Sequence, residues 1–219
     1  KKERIKWHKK IGFSENVLKF HDHENLAHYA NAATDIEFKY PFGFKELEGI
    51  HSRTDFDLRS HEKHTNKKLQ YFDSELGESY TPYVIETSIG LDRMFLAVLC
   101  QSYTEELVKE NTRIVLKIPP ILAPIKVAIL PLLKKDNLPE KSKDIYNRLN
   151  NFFSCYYEEK DSIGKRYRRQ DALGTPFCVT VDHETLDNNT VTLRNRDTMD
   201  QVRISINDLI IQLNNKLSF

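Results

Sequence analysis

Two short segments carry side chains whose types and spacing suit work on an anionic substrate. In Tyr83-Val84-Ile85-Glu86-Thr87-Ser88-Ile89-Gly90-Leu91-Asp92-Arg93 a β-like run passes through a turn with one glycine into a stretch of helical apolar spacing. Arg93 then falls in the first helical turn, where unpaired N–H groups already make the field positive and oppose a cation by about 0.3–1 kcal/mol. An anion shared between the guanidinium and those N–H groups removes the conflict, and a phosphate has the charge and the oxygens to do so. Glu86 and Ser88 stand two apart, share a face on a strand, and offer a carboxylate and a hydroxyl to a ligand ammonium. The plainer alternative is that Arg93 pairs with Asp92 or another carboxylate and that Glu86 is a rim residue. Spacing alone leaves both open.

The second segment runs from Phe42 to Leu58. Glu46 and Glu48 share a strand face, and paired oxygens of that kind suit the Mg²⁺ that accompanies a nucleotide. Asp55 and Asp57 repeat the pattern; the alternative is acidic strands ion-paired with Arg53 and Arg59. Further along, Lys160 to Gln170 holds Lys160, Lys165, Arg166, Arg168 and Arg169 against Asp161 alone. Such a basic face attracts nucleic-acid phosphates without reading sequence, or else its arginines anchor the helix to acidic neighbours. In Arg194-Asn195-Arg196-Asp197, at a strand end, arginine and aspartate have the donors and acceptors to read unstacked bases. His21, His23 and His28 lie close in sequence, but His21 and His23 alternate on a probable strand and no cysteine is near them, so they are not read as a metal site.

These groups need elements to hold them. The pattern changes once, near residue 112. Before it lie short β-like runs, Asp35 to Tyr40 and Tyr83 to Glu86, and an apolar helix from Leu91 to Tyr103. A charged segment, Thr104 to Thr112, and a connector bearing Pro119, Pro120 and Pro124 mark the joint. Beyond it the spacing predicts strands at Ile125–Leu130, Cys155–Glu158, Phe177–Asp182 and Thr190–Arg194. It predicts helices at Lys141–Phe153, Ile163–Leu173, stopped by Gly174 and Pro176, and Ser205–Leu217. The reading is α/β: residues 1–112 as one domain and 113–219 as a small domain with a mixed sheet.

Composition bounds what such a chain can be. Lys and Arg number 33 against 32 Asp and Glu, so the 219 residues are nearly neutral although 30% of them are charged. With 39% hydrophobic residues there is enough for real cores, and no apolar run approaches the roughly 18–20 residues that span a bilayer. The 3 cysteines have no paired spacing, which points to a reducing, cytoplasmic compartment rather than a disulfide framework. The first residue is Lys, with no signal-peptide pattern after it, and the expectation is a chain that begins inside a longer protein.

Taken in order, Glu46-Leu47-Glu48-Gly49-Ile50, Arg53-Thr54-Asp55-Phe56-Asp57-Leu58 and Glu86-Thr87-Ser88-Ile89-Gly90-Leu91-Asp92-Arg93 resemble the second half of a dimeric, class II glycyl-tRNA synthetase. Leu26-Ala27-His28-Tyr29-Ala30 and Pro41-Phe42-Gly43 are similar to it too. Leu122-Ala123-Pro124-Ile125-Lys126-Val127-Ala128, Ile163-Gly164-Lys165-Arg166-Tyr167-Arg168-Arg169, Gly174-Thr175-Pro176-Phe177 and Arg196-Asp197-Thr198-Met199 resemble that family's anticodon-binding domain. The resemblance covers essentially the whole chain. It implies part of an antiparallel-sheet catalytic domain followed by the mixed-sheet domain.

It also implies ATP-dependent attachment of glycine to tRNA(Gly) through glycyl-adenylate. Arg93 and Glu46 become the candidate catalytic pair, Glu46 facing Mg²⁺ and phosphate. Glu46, Leu47, Gly90, Leu91, Asp92 and Arg93 would meet ATP, and Glu86, Thr87, Ser88, Ile89 and Gly90 would meet glycine. Arg166, Arg169, Arg194, Arg196 and Asp197 would meet tRNA. Thr87 stands where the family often has proline, and Phe44-Lys45 where it has Trp-Gly, which leaves the pocket wall open. The family's first and second motifs do not appear, so this chain alone is expected to be inactive, and the homodimer is expected of the complete protein. The competing expectation is a non-catalytic, synthetase-derived nucleic-acid-binding or polymerase accessory protein, which has no need of Glu46, Glu86, Ser88 and Arg93 together.

Overall fold

The computed structural model describes residues 1–217, which form two compact units. The first comprises Lys1–Lys9 and Phe13–Cys100, the second Lys10–Gly12 and the chain from Gln101 onward. The division falls before the charged segment 104–112, not after residue 112. That segment is no linker. Strands β7 (Tyr103–Val108) and β8 (Asn111–Leu116) pair antiparallel through it, and Arg113 and Val115 of β8 are buried within the second unit.

The first unit is built on an antiparallel sheet of β1 (Leu18–Asp22), β2 (Ala32–Tyr40), β3 (Gly43–Ser52) and β6 (Ile85–Ile89), in the order β1-β2-β3-β6. Helix α1 (Lys2–Lys10) precedes it, α2 (Phe56–Thr65) follows β3, and β4 (Tyr71–Asp73) and β5 (Glu78–Tyr80) form a separate hairpin. Alternation along β2 is regular: Thr34, Ile36, Phe38 and Tyr40 are buried and their neighbours are not. Gly90 separates β6 from helix α3 (Leu91–Ser102), the strand–turn–helix that the residue types predicted. Asp55 and Asp57 are not on a strand. They open α2, each paired with an arginine four residues away, Arg59 and Arg53.

In the second unit five strands form one mixed sheet in the order β10-β9-β11-β12-β13. Strands β10 (Cys155–Tyr157), β9 (Val127–Pro131) and β11 (Phe177–Val181) run parallel, and β12 (Thr190–Asn195) and β13 (Gln201–Ser205) add antiparallel. All five residues of β9 and of β11 are buried, the continuous apolar signature of strands covered on both faces. Helices α4 (Leu138–Leu149) and α7 (Leu209–Leu217) bury Ile145, Leu149, Leu209 and Leu213 in one core, while Ile163 and Tyr167 of α5 (Ile163–Leu173) pack on Ala128, Leu130 and Cys178 in another. Gly174 ends α5 at φ +84°, and a Cβ there would sit 3.1 Å from the carbonyl of Leu116, so the stop is fixed by both conformation and space.

A short helix, α6 (His183–Asn188), and strand β13 were not predicted; Asp182 and Thr185 cap α6 reciprocally. Phe152, read as part of the helical stripe, lies beyond α4 and is exposed.

The three cysteines are free thiols. Burial pushes Cys178 up to about 12 and Cys155 up to about 11. The thiolate is the nucleophile, so iodoacetamide at pH 8 is expected to leave Cys178 unmodified in the native protein and to label it fully in denaturant, as read by mass spectrometry.

Candidate functional site

The turn at Gly90 starts α3 beside β3, and this fixes the first cluster. Arg93 donates through Nη1 to the backbone carbonyl of Glu46 at 2.9 Å and to its carboxylate at 3.1 Å. Both side chains stay half open to solvent, 55% and 52% exposed. They line a cleft of about 380 Å³ with Tyr40, Phe42, Lys45 and Leu96. Tyr40 and Phe42 stack face to face on its wall with centroids 5.1 Å apart, and the Tyr40 hydroxyl donates to the carbonyl of Arg93. The plain alternative is therefore realised in part: Arg93 does hold a carboxylate, that of Glu46 and not of Asp92. Because the pair is half exposed, screening keeps its intrinsic worth small, and the guanidinium remains addressable from the cleft.

Glu48 does not share that face. Opposite β2 the register advances one residue, Ile36 to Glu37, while β3 passes from Glu48 to Glu46. Leu47 is the extra residue of a bulge, and a bulge breaks the two-residue alternation on which the paired-carboxylate reading depended. Glu48 is 1% exposed and bound by Arg4 and His8. Burial raises its pKa, but the hydrogen bonds from His8 and Arg4 outweigh it and hold the carboxyl below the usual range.

The second cluster lies on β6, the sheet's edge strand. Thr87, Ser88 and Ile89 are exposed, as are Gly90, Leu91 and Asp92 after it. Glu86, 35% exposed, accepts from Arg53 Nη1 at 2.6 Å. Arg53 also forks onto both oxygens of Asp57 and lies 4.1 Å over the Tyr29 ring. The Arg53 hydrogen bonds hold Asp57 below the usual carboxylate range. The ion-paired alternative for Asp57 is the one realised, with Arg53 as its partner; the further links of Arg53 to Glu86 and Tyr29 escaped notice, because they join elements distant in sequence.

In the second unit most of the residues predicted to meet RNA are engaged internally. Arg166 is buried and donates to the carbonyls of Pro131, Leu132 and Glu158, so it closes strand ends rather than facing a ligand. Arg194 is buried in a two-bond fork on Asp171. Arg196 is buried on the carbonyl of Gly174 and on Asp197, which is itself partly exposed. Arg169 is held by Glu158 and Asp161. Lys160, Lys165 and Arg168 are exposed along this stretch, and Arg169 is partly exposed beside its carboxylate partners. His21 and His23 lie edge to face, with His23 on Asp35. Among the described residues no group of three or more His, Cys, Asp or Glu is arranged to hold a metal.

Residues 126–216 match the anticodon binding domain family. A glycine–tRNA ligase of Chlorobaculum tepidum is 50% identical over 207 residues, 94% of this chain and 44% of its own length. This chain is a homologue of glycine–tRNA ligases. The ligase of Borrelia hermsii is 53% identical over 91% of the chain and 46% of its own length, that of Treponema denticola 48% over 99% and 50%. The homologue thus spans about half the length of the curated relatives it matches. The RNA binding domain of threonyl-tRNA synthetase from Cryptosporidium parvum has the same fold, with a TM-score of 0.63 and 19% identity over 87% of this chain and 44% of that one. No helix among the described residues of the homologue is long and apolar enough to cross a membrane.

Proposed function

We propose that this chain is the part of a glycine–tRNA ligase that carries one side of the ATP and glycine site together with the anticodon-binding domain, and that the complete, dimeric, cytoplasmic protein attaches glycine to tRNA(Gly) at the expense of ATP. The observation that carries the reading is the half-exposed Arg93–Glu46 pair at the start of α3, open to a cleft with an aromatic wall. Arg93, with the first-turn N–H groups, meets the phosphates of ATP. Glu46 fits a cation that keeps its waters and rests on one carboxylate plus nucleotide oxygens, which is how Mg²⁺ is commonly held. When bound, Mg²⁺ supplies charge neutralisation at the phosphates. Glu86, fixed by Arg53, takes the glycine ammonium, with Ser88 beside it. A site of this kind works by placing reactants rather than by a protein nucleophile.

Without the remainder of the ligase this chain is expected to be inactive. The exposed strand edge at β6 and the apolar residues Ile85, Leu91 and Phe95 support that view, because they offer an uncovered surface to further chain. A non-catalytic accessory protein is the second reading; the joint exposure of Glu46, Glu86, Ser88 and Arg93 favours the ligase.

Two measurements test the proposal. In the complete ligase, glycine and not alanine or serine should drive ATP–pyrophosphate exchange. In the 219-residue chain, Lys165→Ala with Arg168→Ala should weaken binding of tRNA(Gly) and of unrelated tRNA alike. Each lost phosphate contact to single-stranded RNA should flatten the slope of log K against log salt by about 0.7. Exchange driven by another amino acid, or an unchanged slope, refutes the corresponding half.

A further inference from the structure

The bulge that separates Glu46 from Glu48 needs a physical cause, because an inserted residue leaves backbone groups unpaired. Regular pairing of β3 with β2 would return Glu46 and Glu48 to one face, since a one-residue shift moves every following side chain across the sheet. Two features hold the observed register. Leu47 is buried in the core. Glu48 is clamped from α1: Arg4 Nε lies 2.5 Å and Arg4 Nη2 3.2 Å from its two oxygens, and His8 Nε2 2.6 Å from the second of them.

Arg4 and His8 are four residues apart and so share a helix face. Each is itself braced, Arg4 over the Trp7 ring and His8 edge-on between Trp7 and Phe13, with Phe13 edge-on to Phe38 of β2. On the other side of the bulge a single nitrogen of Arg93 is held by both the carbonyl and the carboxylate of Glu46. Because one of those acceptors is backbone, the arrangement depends on the local path of β3 and not only on a rotamer.

We infer that Arg4 and His8 are positioning residues for the cleft: by clamping Glu48 they maintain the bulge at Leu47 that delivers Glu46 to Arg93. This role deepens the reading of the cleft as the nucleotide side of the site and rests on it for its purpose. Stability alone is a poor account of the clamp, since buried ion pairs can often be replaced by apolar residues without loss of stability. What an apolar replacement cannot supply is a charged anchor that fixes which residue of β3 is turned inward.

The test therefore separates stability from register and uses no nucleotide. The triple variant Arg4→Met, His8→Leu, Glu48→Met of the 219-residue chain is compared with wild type by urea unfolding and by NMR hydrogen exchange of the Arg93 guanidinium and the Leu47 and Glu48 amides. Retained stability with at least tenfold faster exchange at these three places supports the inference. Retained stability with unchanged exchange overturns it and leaves a purely structural ion pair. Should the triple variant fail to fold, Arg4→Lys against Arg4→Met decides: protection restored by Lys and lost with Met supports the clamp, equal protection in both overturns it. A failure of the nucleotide reading shows instead as undiminished ATP–pyrophosphate exchange in Arg93→Ala of the complete ligase and leaves these results unmoved.

Discussion

Replacing Asp171 with alanine is expected to destabilise the second unit by about 3–5 kcal/mol, the cost of removing one partner from a buried ion pair. Asp171 is fully buried and accepts from Arg113 Nε at 2.9 Å and from Arg194 Nη1 and Nη2 at 2.7 and 3.0 Å. Both arginines are buried as well. Arg113 keeps Glu106 and the carbonyl of Arg196, and Arg194 keeps its stacking over Tyr167 and the neutral Cys178 thiol beside it. Without the carboxylate, Arg194 is a cation with no counter-charge in a dry site, where desolvation is not offset.

Asp171→Asn should lose nearly as much, because an amide of the same shape brings hydrogens toward donors. Arg194→Met should lose less, since the Arg113–Asp171 pair survives and the methionine fills the space. Urea unfolding of the three variants, with m checked for constancy, measures this. A loss below about 1 kcal/mol in Asp171→Ala would mean that the network reorganises around water and does not set the stability of the unit.

That network also marks where reading the sequence stops. Helix α5 was legible to the residue, Ile163 to Leu173, because its stop depends on Gly174 and Pro176, which act locally. The Gly90 turn, α3 and the buried strand β9 were legible for the same reason: each shows in its own apolar spacing and punctuation. The arginines were not. Arg166, Arg194 and Arg196 are spelled like an RNA-facing surface, and what turns them inward is Asp171 from another element and carbonyls at the ends of β9 and α5.

Burial of a charge is a property of partners distant in sequence, and one-dimensional spacing does not carry it. The bulge at Leu47 is of the same kind, since it exists only in the pairing of β3 with β2. By contrast Asp55 and Asp57, read as strand residues, had helical signals in view: Asp55 and Arg59, and Arg53 and Asp57, are each four apart.

The Arg93–Glu46 pair leads to the second large effect. In the complete ligase, Arg93→Ala is expected to lower the rate of glycine-dependent ATP–pyrophosphate exchange by about 10²–10³-fold, the range found when one preorganised charge-stabilising donor is removed. Arg93 is engaged by the carbonyl and the carboxylate of Glu46. An incoming phosphate therefore competes with a carboxylate that is half in water and weakly held, and the exchange costs little.

Arg93→Lys keeps a positive charge but loses the planar fork that can hold phosphate and carboxylate oxygens at once. It should recover only part of the rate. Glu46→Gln frees Arg93 from its ion pair while removing the carboxylate proposed to face Mg²⁺, so it should slow exchange and shift the Mg²⁺ requirement to higher concentration. Arg93→Ala should leave that requirement in place. The two variants thus fail differently if one residue serves phosphate and the other serves the cation, and alike if the pair is only a surface ion pair that braces α3 against β3. In that case Arg93→Ala would retain most of its activity, and the cleft would not be where ATP reacts.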